Sequence, residues 1–205
     1  MPQSNLKVGA IGLGIGTLTA YALPGDSYIC YEINPQVIDL ATRYFTFVPQ
    51  AEKRANVEMV VGDARVSLER ELASSGSAGY DVLVLDAFSG DAVPVHPLTE
   101  EAFALYWRHL KADGILAVHV SNLYLDLSDV VRNNARRQKK LALLVDSQGN
   151  EQQASKPSTW ILVTGNRDFA AQDELNSKLS RWPRQEARDI HWTDDYSNVL
   201  RLVKR

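Results

Sequence analysis

Apolar and polar positions along this chain alternate between two periods. Short apolar runs fall at Lys7–Leu13, Ser27–Glu32, Val57–Val61, Tyr80–Asp86, Gly114–Ser121, Leu141–Asp146 and Trp160–Thr164. Several are nearly continuous in Val, Ile and Leu, the pattern of strands covered on both faces. Helical patterns fill the intervals. Asn34-Pro35 supplies an N-cap and a first-turn proline for a helix carrying Val37, Ile38, Ala41 and Phe45. Thr99 starts another, with Glu100 and Glu101 in its first turn and Leu98 and Phe103 spaced as a hydrophobic staple. Ser128 reads as the cap of a third. This alternation predicts an α/β fold: a doubly wound, mostly parallel sheet of seven strands, the last ones forming an antiparallel edge. No repeat or linker divides the chain, so residues 1–205 read as one domain.

In such a sheet, ligands bind beyond the carboxyl ends of the strands. The residues that end strands therefore matter most. The first run ends in Gly12-Leu13-Gly14-Ile15-Gly16. Its glycines remove side chains that would hold a ligand off the backbone, and a helix starting there would offer free N–H groups. Glu32 ends the second run, twenty residues after Gly12, and its two acceptor oxygens suit a ribose diol. The third ends in Gly62-Asp63-Ala64, where Asp63 reads as the N-cap of a helix over Ala64–Leu72, as an adenine contact, or as both. The fourth ends at Asp86, a charge that is costly to bury without a partner or a task. Beyond it, the proline-bearing stretch Ala87–Pro97 reads as a lid. Within it, Asp91 is either a second active carboxylate or a turn former beside Gly90. Three successive strands each delivering a carboxylate to one rim point to a nucleoside cofactor.

Composition narrows the partners. The chain is 45% hydrophobic and 23% charged with a net charge of −3, which argues against a disordered chain and against nucleic acid. The basic cluster Arg132, Arg136, Arg137, Lys139 and Lys140 reads as a solvated helix end. No apolar run approaches the ~20 residues that span a bilayer. The single cysteine, Cys30, sits inside a predicted strand as a small buried hydrophobe. A cytoplasmic protein is expected. The four histidines lack metal-ligand spacing, so no metal is expected; His119 alternates with Val118 and Val120 as a sheet-face residue. Trp192–Tyr196 reads as a polar turn beside an aromatic core residue.

Glu32-x-Asn34, Gly62-Asp63-Ala64 and Tyr80–Asp86 resemble, in order and context, the spermidine synthase (polyamine aminopropyltransferase) family. The stretches Asp86–Thr99, Val118–Leu127 and Trp192–Leu200 are similar to a bacterial branch often fused to a transporter-like membrane region. The resemblance runs from Leu6 to Asp146 and resumes at the tail. It implies a Rossmann-like sheet of the class I methyltransferase type and a homodimer. It also implies aminopropyl transfer from decarboxylated S-adenosylmethionine to a small polyamine. Gly12, Gly14 and Gly16 would then approach the donor's tail, Glu32 would hold the ribose, and Asp63 with Ala64 would bind near the adenine. Asp86 would contact the attacking amine and help remove its proton.

The chain departs from the family pattern in four places. Ile15 stands where the family has an aspartate that contacts the aminopropyl amine, and an apolar side chain accepts no hydrogen bond. Asn34 replaces an acid, the second acid after strand four is displaced or absent, and the family's β-rich N-terminal segment has no counterpart ahead of Lys7. These features keep two alternatives open, an S-adenosylmethionine-dependent methyltransferase and a nucleoside-binding domain without catalysis. A nicotinamide dehydrogenase fits less well, because its third glycine would fall on Thr17.

Overall fold

Parallel pairing begins where the sequence is most apolar. In the computed structural model, which describes residues 5–87, 95–150, 152, 155–183 and 188–204, β1 (Lys7–Ile11) pairs in parallel with β2 (Ser27–Glu32) and β4 (Tyr80–Leu85). β2 pairs in parallel with β3 (Asn56–Val61). With β5 (Leu110–His119), β6 (Leu141–Ser147) and β7 (Ser158–Thr164) the strands form one seven-stranded sheet, ordered β3-β2-β1-β4-β5-β7-β6. β7 runs antiparallel to both β5 and β6, as the sequence predicts for the final strands. Strand order reverses between β1 and β4, the position at which α/β sheets bind ligands.

The chain forms two compact units, residues 1–87 with 105–114, and residues 88–104 with 115–205. In the first, α1 (Pro35–Tyr44) starts at Asn34, whose side chain accepts from the Gln36 N–H at 3.0 Å. α2 (Phe47–Ala51) follows, and α3 (Ala64–Ser74) starts at Asp63. Ala10, Leu13, Cys30, Ala41 and Val48 pack into one apolar cluster. Burial pushes the Cys30 thiol up to about 12, which leaves it inert as expected. A polar chain crosses the core of this unit. Tyr31 donates to Glu71 at 2.8 Å, leaving Tyr80 to donate to Tyr31 at 2.7 Å. Burial raises both phenols, Tyr80 to about 12.

α4 (Glu100–His109) ends on a buried imidazole. The Ala78 N–H donates to His109 Nδ1 at 3.2 Å, so the ring hydrogen sits on Nε2 and is donated to the Leu68 carbonyl at 2.9 Å. At its other end, Thr99 caps the helix by accepting from the Ala102 N–H at 3.3 Å, and the staple residues Leu98 and Phe103 are both buried.

In the second unit, α5 (Ser128–Arg137) corrects one expectation. Ser128 is its first residue and makes no cap; Asp126 accepts from the Ser128 N–H at 3.1 Å instead. The basic cluster is more than a solvated helix end. Arg132 lies 4.7 Å from the Trp182 ring centroid, and Arg137 donates to the Ile190 carbonyl at 3.1 Å. Arg136 and Arg137 both reach Asp189 at 3.3 Å. Arg188 joins them from the tail, donating to Asp129 at 2.8 Å and Asp126 at 3.1 Å. The cluster therefore anchors the tail to α5. His119 stacks on Trp160 with centroids 4.7 Å apart, the sheet-face role its alternation predicts. Trp192 is buried, and Thr193 and Tyr196 close a turn beside it, as predicted.

The ends of α5 and α4 are each testable. α5 closes in a Schellman motif, with Lys139 N–H on the Arg136 carbonyl and Lys140 N–H on the Ala135 carbonyl. That motif needs a left-handed residue, and Lys139 holds φ at 55°. Lys139→Gly should stabilise the protein by about 1 kcal/mol, read as a raised melting temperature. Burial holds the His109 pKa below its ordinary value, so the unfolded chain binds a proton that the native chain refuses. The His109 contribution is complete above about pH 6.5, the unfolded value, and is lost as pH falls through the lower native value. Urea midpoints measured between pH 7 and pH 5 should fall less steeply for His109→Gln than for the parent.

Candidate functional site

Three parallel pairings bring the carboxyl ends of β1, β2, β3 and β4 to one edge of the first unit. Backbone bonds continue past the strands and lace those ends together. Gly12 N–H donates to the Tyr31 carbonyl, Asp86 N–H to the Ile11 carbonyl, and Gly62 N–H to the Glu32 carbonyl, each at 2.9 Å. Gly12, Gly14, Gly16, Glu32, Asp63, Ala64 and Asp86 thus all stand at the ends of neighbouring strands, as predicted. Asp91 and most of the Ala87–Pro97 stretch lie outside the described residues.

Glu32 is buried at 9% exposure, yet both carboxylate oxygens are engaged. One accepts from the Leu13 N–H at 3.1 Å and the other from the Asn34 N–H at 2.9 Å. Glu32 therefore holds the glycine loop on one side and the start of α1 on the other. Each oxygen retains a further acceptor site for a ligand hydroxyl. Asp63 caps α3: its side chain accepts from the Val66 N–H at 3.0 Å. Ala64 is the first residue of α3.

The three glycines of the loop do different work. A Cβ on Gly12 would overlap the Asp86 carbonyl oxygen and come within 2.8 Å of the Asp86 carbonyl carbon. A Cβ on Gly16 would meet Val48 Cγ2 at 2.5 Å. These two make room for the protein itself. Of the three, only Gly14 faces open space: a Cβ there would meet nothing within 4 Å, and its φ of +54° is left-handed. Ile15 beside it is 42% exposed at the loop tip.

The helix expected after the loop is a five-residue 3-10 turn, Thr17–Tyr21. So short a turn supplies no helix dipole and none of the N-terminal N–H array that binds a pyrophosphate. Exposed apolar side chains also mark this edge: Ile33, directly after Glu32, is 68% exposed, and Val61, at the end of β3 and paired with Glu32 in register, is 59% exposed. Sequence reasoning passes over both, because each looks like an ordinary strand-end hydrophobe. The available signal is their place next to polar strand ends.

No group of three or more potential metal ligands occurs among the described residues, and no helix there is long and apolar enough to cross a membrane.

No family model matches the chain. It is 32% identical over 126 residues to a polyamine aminopropyltransferase of Vibrio vulnificus, covering 60% of this chain and 40% of that protein. It is 26% identical over 208 residues to a Xenopus laevis eEF1A lysine and N-terminal methyltransferase, covering 96% of this chain and 28% of that protein. The chain thus spans less than half the length of these relatives. Human methyltransferase-like protein 13, solved in complex with SAH, superposes with a TM-score of 0.63 at 16% identity, over 90% of this chain and 88% of that one. Solved spermidine synthases share the fold. The fold is therefore the α/β sheet of the class I methyltransferases and spermidine synthases.

The glycines make a sharp pair of predictions. Gly12→Ala sets side chain against backbone and should cost about 3 kcal/mol or more of stability in denaturant titrations. Gly14→Ala adds only left-handed strain of about 1 kcal/mol and should fold.

Proposed function

We propose that this chain transfers an aminopropyl group from decarboxylated S-adenosylmethionine to a nitrogen of a small polyamine. The observation that carries this reading is the buried Glu32 carboxylate at the rim of four parallel strand ends, beside a glycine loop followed by only a five-residue turn. A dinucleotide would need a helix N-terminus for its pyrophosphate. A sulfonium nucleoside carries no phosphate and needs none. The likeness to an aminopropyltransferase supports the choice of transferred group.

The residues present suit such a donor. The remaining acceptor sites of Glu32 take the ribose hydroxyls. Ile33 and Val61 offer apolar surface to the adenine ring, and Asp63 and Ala64 line its edge. The open side of Gly14 admits the tail. The attacking alkylamine has a pKa near 10, so it must shed a proton to expose its lone pair. Asp86 orients the amine and accepts that proton, directly or through one water. Asp91 is a candidate for a second carboxylate on the same amine. As nitrogen bonds to the donor carbon, the carbon–sulfur bond breaks and its electron pair stays on sulfur. The product is the neutral thioether methylthioadenosine. Holding donor and amine in line supplies much of the remaining acceleration.

A second reading is methyl transfer from S-adenosylmethionine. It is favoured by Ile15, an exposed apolar side chain at the loop tip: without an acid there to hold the amine, selection for the decarboxylated tail is relaxed. The methyltransferase likeness over 96% of the chain points the same way.

Incubation with decarboxylated S-adenosylmethionine and putrescine should release methylthioadenosine. Asp86→Asn should lower kcat by about 10²- to 10⁴-fold while methylthioadenosine binds within about 2-fold of the parent. Release of S-adenosylhomocysteine from S-adenosylmethionine, with no turnover of the decarboxylated donor, would replace this reading with methyl transfer.

A further inference from the structure

We propose that Arg54 is a positioning residue for the nucleoside site, a brace that holds the glycine loop from behind without touching the ligand. The role as a nucleoside site rests on the function proposed above; the bracing of the loop does not.

The loop needs such a brace. A 3-10 turn of five residues has poor hydrogen-bond geometry and does not hold itself. Its front is fixed by Glu32 at the Leu13 N–H. Its rear depends on two other contacts. The buried Thr19 hydroxyl donates back to the Gly16 carbonyl at 2.7 Å. Arg54 then gathers the carbonyls at the end of the turn, donating from Nε to Ala22 at 2.6 Å and from Nη2 to Ala20 at 2.8 Å. Its remaining Nη1 donates to the Gln50 carbonyl in α2 at 3.3 Å.

One planar guanidinium therefore ties the turn to α2. α2 also supplies Val48, the side chain packed where a Gly16 Cβ would stand. Arg54 itself follows α2 directly, and its N–H donates to the Ala51 carbonyl at 2.9 Å. The chain just beyond is pinned separately: Asp26 accepts from the Leu23 N–H and the Leu6 N–H, each at 2.9 Å. Among the described residues, Arg54 is the side chain that restrains the turn's outgoing carbonyls between Thr19 and Leu23. A lysine carries one ammonium and cannot span the three acceptors in a fixed plane.

Without the fork, the turn would sample open states, and the ligand would bind only the fraction with the loop in place. Apparent affinity falls by that fraction. Once donor is bound the loop is ordered, so kcat changes little.

The test compares parent, Arg54→Ala and Arg54→Lys. Amide hydrogen exchange is read over residues 13–22 in the ligand-free proteins. Calorimetry is run with methylthioadenosine and with S-adenosylhomocysteine. Arg54→Ala should speed exchange across residues 13–22 while β2 and β4 keep the parent's protection. It should also weaken the better-bound nucleoside by about 10-fold. Ethylguanidinium should restore part of both losses. Arg54→Lys should fall between the two and serves as the readout if the alanine variant does not fold. Unchanged exchange over residues 13–22, or acceleration spread evenly over the chain, would overturn the brace. If the parent binds neither nucleoside, the functional reading fails, and the exchange data still decide the bracing role of Arg54.

Discussion

The carboxylate of Glu32 is the interaction on which the candidate site depends. A buried charge is costly unless its oxygens are taken up by donors. Here the donors are two backbone N–H groups from different elements, Leu13 in the glycine loop and Asn34 at the start of α1. Satisfying that one charge fixes where the chain leaves β1 and where α1 begins. The Gly62 N–H on the Glu32 carbonyl brings the end of β3 into the same arrangement. The carboxylate proposed to hold the ribose is thus also the group that ties the glycine loop to the start of α1.

The same constraint explains the glycines. With Leu13 held by Glu32 and the Asp86 N–H on the Ile11 carbonyl, the ends of β1 and β4 lie too close for any side chain at residue 12. The packing of the sheet is by itself enough to require a glycine at residue 12. Gly14 is the position left open. A glycine-rich motif that reads as a single ligand cradle therefore divides into two positions that the fold itself requires and one, Gly14, that packing leaves open.

The sheet is legible in the sequence because its signal is local. Val, Ile and Leu runs bounded by polar residues locate all seven strands, and the caps at Asn34, Asp63 and Thr99 follow from side-chain chemistry within three residues. β5 begins at Leu110, ahead of the apolar run from Gly114, because the exposed Lys111 and Asp113 sit on an extended backbone that their polarity conceals. Ser128 has the chemistry of a cap but not the role, because Asp126, two residues earlier, offers a stronger acceptor to the same helix start. What the sequence does not show depends on partners far along the chain. Nothing near Arg136 and Arg137 announces that Asp189 will meet them. Nothing in Thr17–Tyr21 announces a 3-10 turn held by an arginine 32 residues beyond Ala22.

The division of labour around the loop bears on how donor choice can change. Glu32 fixes its entry and the Thr19 and Arg54 contacts fix its exit, so the tip at Gly14 and Ile15 carries no contact that the frame requires. A side chain at the tip can then be exchanged between acidic and apolar without disturbing Glu32 or Asp63, because none of the bonds that set those two residues passes through it. If the proposed donor binds here, selectivity for its tail is separable from binding of its nucleoside. Under the proposed function, that separation would let one sheet serve both an aminopropyltransferase and a methyltransferase, the two kinds of protein the chain is similar to, with the transferred group decided at the loop tip.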